Sequence, residues 1–190
     1  VEELGDKIAI YGLITGPFTL ALHLKGTDIF YDMLDEPEEV HKLMKFCEEV
    51  CINTSRMYIE AGADIIALVD PMTSQISSDS FTEFVSPYAS SIFDYVRGQG
   101  KGSSFFVCGN AKRNIEAMCK TKPDNISIDE NIPLDYVVET CKPYGISVGG
   151  NIRLTLTMLF GTRMDNVNDA RNCISIGGNK GYILAPGCDM

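Results

Sequence analysis

Short, continuous apolar runs alternate along this chain with longer stretches in which apolar residues recur every three or four positions. The short runs are KIAIYGLIT (7–15), DIIALVD (64–70), SSFFVCGN (103–110), NISID (125–129), ISVGGNI (146–152) and GYILAPGC (181–188). Runs of this length, bounded by Gly, Asp or Asn, predict strands. DIIALVD is apolar on both faces, as a strand inside a parallel sheet is. Between the strands the period changes. FTLALHLKG (18–26) predicts a short helix. Residues 28–63 carry Val40, Leu43, Met44, Cys47, Val50 and Cys51 at helical spacing, with Pro37 suited to a first turn and Gly62 to a stop. Residues 77–100 predict one helix with a Ser/Asp entry and a glycine exit. Further helices are predicted over 111–121, 133–145, 153–162 and 165–178.

Strands that alternate with helices give a parallel α/β fold. No long linker, low-complexity tract or close repeat interrupts the pattern, so residues 1–190 read as a single domain. No GxGxxG or GxxxxGK[ST] loop is present, which counts against a dinucleotide or nucleotide fold. Polar residues and thiols gather where the strands stop: Thr15, Asp70, Cys108, Asp129, Asn151 and Cys188. In a (β/α)8 barrel those strand ends form the active-site rim. Six units are too few to close eight, so the expectation is an incomplete barrel or an open sheet.

Charge narrows the list of partners. The 190 residues sum to −10, which argues against nucleic acid or an anionic membrane surface, though one local basic pocket stays compatible with it. No apolar run approaches the roughly 20 residues of a membrane span. The acidic start VEELGDK predicts no signal peptide. Seven cysteines at irregular spacing predict reduced thiols and a cytoplasmic protein. Cys47 and Cys51 read as one helix face, and Cys119, Cys141 and Cys173 as small buried hydrophobes.

Cys108 and Cys188 are different, because each ends a strand, which brings both sulfurs toward one rim. Asp70 and Asp129 are carboxylates at strand ends, where a site role competes with capping. Asn151 follows Gly149 and Gly150, a pair that suggests close backbone approach to a ligand or a neighbouring strand. His23 is placed on a helix as an acid or base near neutral pH, against a plain hydrogen-bonding role. His41, in a charged helix, reads as surface.

GLITGPFTLALHLKG, AGADIIALVDPMTSQISSDSFTEFVSPY, FFVCGN, ISIDENIPL, GGNI and GYILAPGCDM together resemble the uroporphyrinogen decarboxylase superfamily. That resemblance implies a TIM barrel, of which this chain would hold strands three to eight, without the first two strands and the closing helix. The superfamily has a decarboxylase branch and a branch of zinc-dependent corrinoid methyltransferases. FFVCGN and LAPGCDM are nearer the second. Its His-x-Cys and distant Cys pattern implies that Cys108 and Cys188 bind zinc. The pattern's histidine falls on Phe106, so a carboxylate (Asp70, Asp129 or Glu130) would complete the set. The implied reaction moves a methyl group from a methylcorrinoid, carried on a corrinoid protein, to a zinc-activated thiol. His23 and Asp70 are then expected in catalysis, and Asp129, Asn151 and Arg153 in substrate binding.

Two alternatives stand beside it. One is uroporphyrinogen III decarboxylation in porphyrin biosynthesis. His23 lies near that branch's tyrosine, but Arg153 replaces the Asp of its GNxDP loop, and the N-terminal regions it relies on are not in this chain. The other is a non-catalytic corrinoid- or tetrapyrrole-binding domain, which Phe106 favours. The piece alone is expected to be inactive, and a homo-oligomer could cover the exposed sheet edges.

Overall fold

The computed structural model describes residues 3–188. Six strands form one sheet: β1 (Tyr11–Thr15), β2 (Ile65–Val69), β3 (Gly102–Val107), β4 (Asn125–Ile128), β5 (Ser147–Ile152) and β6 (Tyr182–Pro186). They lie side by side in chain order, and every neighbouring pair is parallel. The six strands and their parallel arrangement agree with the reading of the apolar runs.

Helices cover the outward face of this sheet: α1 (Pro17–Lys25), α2 (Ile29–Asp35), α3 (Pro37–Glu60), α4 (Ser78–Phe84), α5 (Ser86–Gly98), α6 (Ile115–Lys120), α7 (Leu134–Cys141) and α8 (Arg163–Gly177). The outward strand residues Ile66, Leu68, Phe105, Val107, Ile126 and Ile128 are sealed against them. Phe105 sits between Phe81 and Phe93, at ring-centroid distances of 6.0 and 5.8 Å. Removing an aromatic of this kind from water is worth about 1.5–3 kcal/mol, so this outer layer holds the sheet. Along α3 the buried stripe Val40, Met44, Cys47, Cys51 and Ser55 follows the helical period. Burial pushes the Cys47 and Cys51 thiols up to about 11 and about 12, which leaves them protonated packing groups.

The inward face is built differently. Thr15, Val69, Phe106, Ser127, Gly149 and Ile183 stand in register as one layer across all six strands. A Cβ on Gly149 would displace Ser127 Oγ from the position in which it donates to Asn125 Oδ1 at 2.7 Å.

Three predicted helices are drawn differently by the structure. The stretch 77–100 is two helices, not one, divided at Val85. Pro87 lacks the N–H that would bond the Glu83 carbonyl and its ring crowds that carbonyl, so it opens a new helix instead. Residues 154–159 form a π-helical turn. The last helix begins two residues earlier than predicted, at Arg163. There Thr162 accepts from the Asp165 N–H at 3.2 Å while the Asp165 carboxylate accepts from the Thr162 N–H at 2.7 Å, a closed capping box.

Candidate functional site

Parallel strands in one order place all six C-terminal ends on one rim, and the two thiols meet there. Cys108 follows β3 directly, and Cys188 lies two residues past β6. Their sulfurs are 2.7 Å apart although 80 positions separate them in the chain. The loop that carries Cys108 is held by Asp129. Its Oδ2 accepts from the Gly109 N–H at 2.6 Å and from Asn131 Nδ2 at 2.8 Å, and its Oδ1 accepts from the Asn131 N–H at 2.9 Å. Asp129 therefore fixes the residue next to the thiol.

Glu130 lies close by. A Cβ on Gly187, the residue before Cys188, would be 2.8 Å from Glu130 Oε2. That oxygen is buried and accepts no hydrogen bond. A buried carboxylate oxygen without a donor is costly unless a cation or proton completes it. Two thiols and this oxygen make a donor set that suits zinc, and the orphaned oxygen is the feature that fits a metal. Among the described residues, no three His, Cys, Asp or Glu side chains already close around one point.

Phe106 points inward, one register layer before Cys108. With Tyr11, Leu13, Ala67, Val69 and Ser104 it lines a cavity of about 230 Å³ that reaches Cys188. No charged side chain lines this cavity. The concave face below the thiols is thus apolar.

Asp70 is at the same rim but is turned away from the cavities. It is fully buried. It accepts from the Phe18 N–H at 3.1 Å, the Thr19 N–H at 2.7 Å and the Thr19 hydroxyl at 2.5 Å. The two N–H groups are open donors of the first turn of α1, so its carboxylate caps that helix from a distant strand. Burial pushes its carboxyl up to about 6, against the lowering pull of the bonds from Thr19 and Phe18.

Asn151 and Arg153 share a cavity of about 290 Å³ with Glu130, Asp169 and Asn172. Asn151 Nδ2 donates to the Ile132 carbonyl at 2.9 Å and to the Asp129 carbonyl at 3.3 Å. Arg153 donates to buried Asp169 through its backbone N–H (2.9 Å) and Nε (3.2 Å). Its side chain is half exposed. Asp169 lies in the polar stretch DNVNDARN, where nothing in the sequence distinguishes it from a solvated helix residue. His23 lies on the exposed side of α1 and hydrogen-bonds to no described residue. His41, by contrast, is half-buried: it stacks on Phe84 at 4.9 Å and bonds the Tyr88 hydroxyl through Nδ1 at 2.8 Å. The structure therefore brings Cys108, Cys188 and Asp129 together, sets Asn151 and Arg153 in an adjoining cavity, and leaves Asp70 and His23 apart from both. No described helix is long and apolar enough to cross a membrane.

A parallel sheet in sequential order, helices outside and polar groups at the C-terminal rim define the incomplete TIM-barrel class. The uroporphyrinogen decarboxylase (URO-D) family matches residues 1–190, and the chain belongs to that family. It is 27% identical over its whole length to a methylcobamide:CoM methyltransferase, MtbA, of Methanosarcina acetivorans, of which it covers 55%. It is 29% identical over 85% of its length to a uroporphyrinogen decarboxylase of Parasynechococcus marenigrum, of which it covers 47%. A solved methyltransferase structure from Methanosarcina mazei superposes with a TM-score of 0.89 at 25% identity, over 98% of this chain and 55% of that one. The chain thus spans about half the length of the relatives it matches.

Proposed function

We propose that the chain is part of a zinc-dependent corrinoid:thiol methyltransferase of the URO-D family. The observation that carries this reading is the meeting of two sulfurs, 80 positions apart, at 2.7 Å on the catalytic rim of the barrel. Cys108, Cys188 and Glu130 hold the metal, and the carboxylate stands in for the histidine that Phe106 replaces. Zinc bound there supplies Lewis acidity that lets a substrate thiol lose its proton near neutral pH. Asp129 keeps the Cys108 loop in place. Phe106 and the apolar cavity beside it exclude water from the reacting sulfur. Asn151 and Arg153 orient the thiol's remaining atoms from the adjoining cavity. Asp70 acts only through α1, as a positioning residue. A corrinoid protein that presents the methyl group at the rim is the partner this reading requires. The chain supplies strands three to eight of the barrel. The remaining strands pair along the open edges β1 and β6.

The decarboxylase relative supports a second reading, a carboxy-lyase. That reading leaves the paired sulfurs of Cys108 and Cys188 without a role. The methyltransferase reading is therefore preferred.

Elemental analysis of the purified chain tests it. About one zinc per chain is expected, lost in Cys108→Ser and in Cys188→Ser and weakened in Glu130→Ala. A wild-type chain that takes up no zinc while all its thiols are reduced would overturn it.

A further inference from the structure

A third cavity on the same rim has a different character. It measures about 640 Å³ and is lined by Ser74, Gln75, Asn110, Lys112, Arg113 and Tyr136. The chain as a whole carries −10, yet two cations and no carboxylate line this space. Neither cation forms an ion pair with a described residue.

Both are held in place by neutral groups. Lys112 Nζ stands 4.6 Å from the centre of the Tyr136 ring, a cation–π contact, and the Tyr136 hydroxyl donates to the Lys112 carbonyl at 3.3 Å. Arg113 Nη2 donates to the Ser74 carbonyl at 3.1 Å. Gln75 Nε2 donates to the hydroxyl of Ser74, which is buried, at 3.2 Å. The guanidinium fork is thus oriented and retains N–H groups that these bonds do not use. Both side chains are exposed and no described carboxylate neutralises them, so their N–H groups are available to an anion that enters the cavity.

We propose that this cavity binds a phosphate ester, with Lys112 and Arg113 clamping its oxyanion and Asn110 and Gln75 donating at the sides. The space exceeds what one phosphate group fills, so the ester's organic part lies against Tyr136. The site is separate from the sulfur pair and stands whether or not the metal reading holds.

Calorimetric titration of the chain with methyl phosphate and with dimethyl phosphate, in chloride buffer of matched ionic strength, tests it. Saturable binding with a dissociation constant at or below about 1 mM is expected for at least one probe. Tighter binding of methyl phosphate points to a free monoester. Tighter binding of dimethyl phosphate points to the diester of a nucleotide-bearing molecule. The double variant Lys112→Gln/Arg113→Gln, at two exposed positions, is expected to weaken binding at least about tenfold, and the charge-keeping Lys112→Arg to retain it. No saturable binding by the wild-type chain overturns the site, as does equal affinity in the double variant.

Discussion

Asp70 and Asp129 occupy the same address in their units, the first residue after an inner parallel strand, and both are buried. Their donors differ. Asp70 spends both oxygens on the first turn of α1. Asp129 spends one oxygen on the loop beside Cys108 and holds Asn131 with both. The contrast shows that a rim position makes a carboxylate available without deciding its work. The nearest unsatisfied N–H groups decide that: a helix end claims one carboxylate for stability, and a thiol-bearing loop claims the other for geometry.

The sharpest way to break this comparison is Asp70→Ala. It strands three buried donors at once, so a loss of roughly 3 kcal/mol is expected in urea denaturation, with zinc content per folded chain unchanged. Loss of zinc at full stability would reverse the roles assigned here.

A pH series sharpens the same point. The Asp70 carboxyl titrates near 3.8 in the open chain and about 6 when folded, so the folded state holds the proton more tightly. The protonation-linked part of its contribution to stability is complete below about pH 4 and is lost as the pH rises through about 6, on the order of 3 kcal/mol in total. Unfolding free energies of wild type and Asp70→Asn, measured from pH 3.5 to 7, are expected to differ by that slope. Parallel curves would show that burial does not raise this carboxyl.

Asp129→Asn is the mildest of the three. The Gly109 N–H keeps an acceptor of lower charge, so stability falls by about 1 kcal/mol. Zinc affinity is expected to fall roughly ten- to hundredfold, as it does when a group that orients a metal ligand is weakened. A competition titration with a chromophoric chelator reads this out. Unchanged affinity would make Asp129 a structural tie like Asp70.

Much of the fold was legible before any coordinate. Each apolar run became a strand, because short apolar runs bounded by Gly, Asp or Asn are too brief for a helix and suit a parallel sheet. The helix expected over 77–100 divided at Val85, because one proline outweighed continuous amphipathic spacing. At the site, the sequence drew attention to Cys108, Cys188, Asp129, Asn151 and Arg153. It did not reveal that Asp70 caps a helix beginning 53 positions earlier, that Asp169 is buried against Arg153, or that Glu130 carries an orphaned oxygen. Nor did it separate Lys112 and Arg113 from the other cations of an acidic surface.

Local pattern determined what kind of element each stretch becomes, since strand and helix periods are set by side chains within a few residues of one another. Which groups touch was decided by the sheet. The order and register of six parallel strands bring residues 80 positions apart to one rim. Contacts between distant strand ends depend on how the whole layer of helices packs the sheet, and no short window of sequence contains that information.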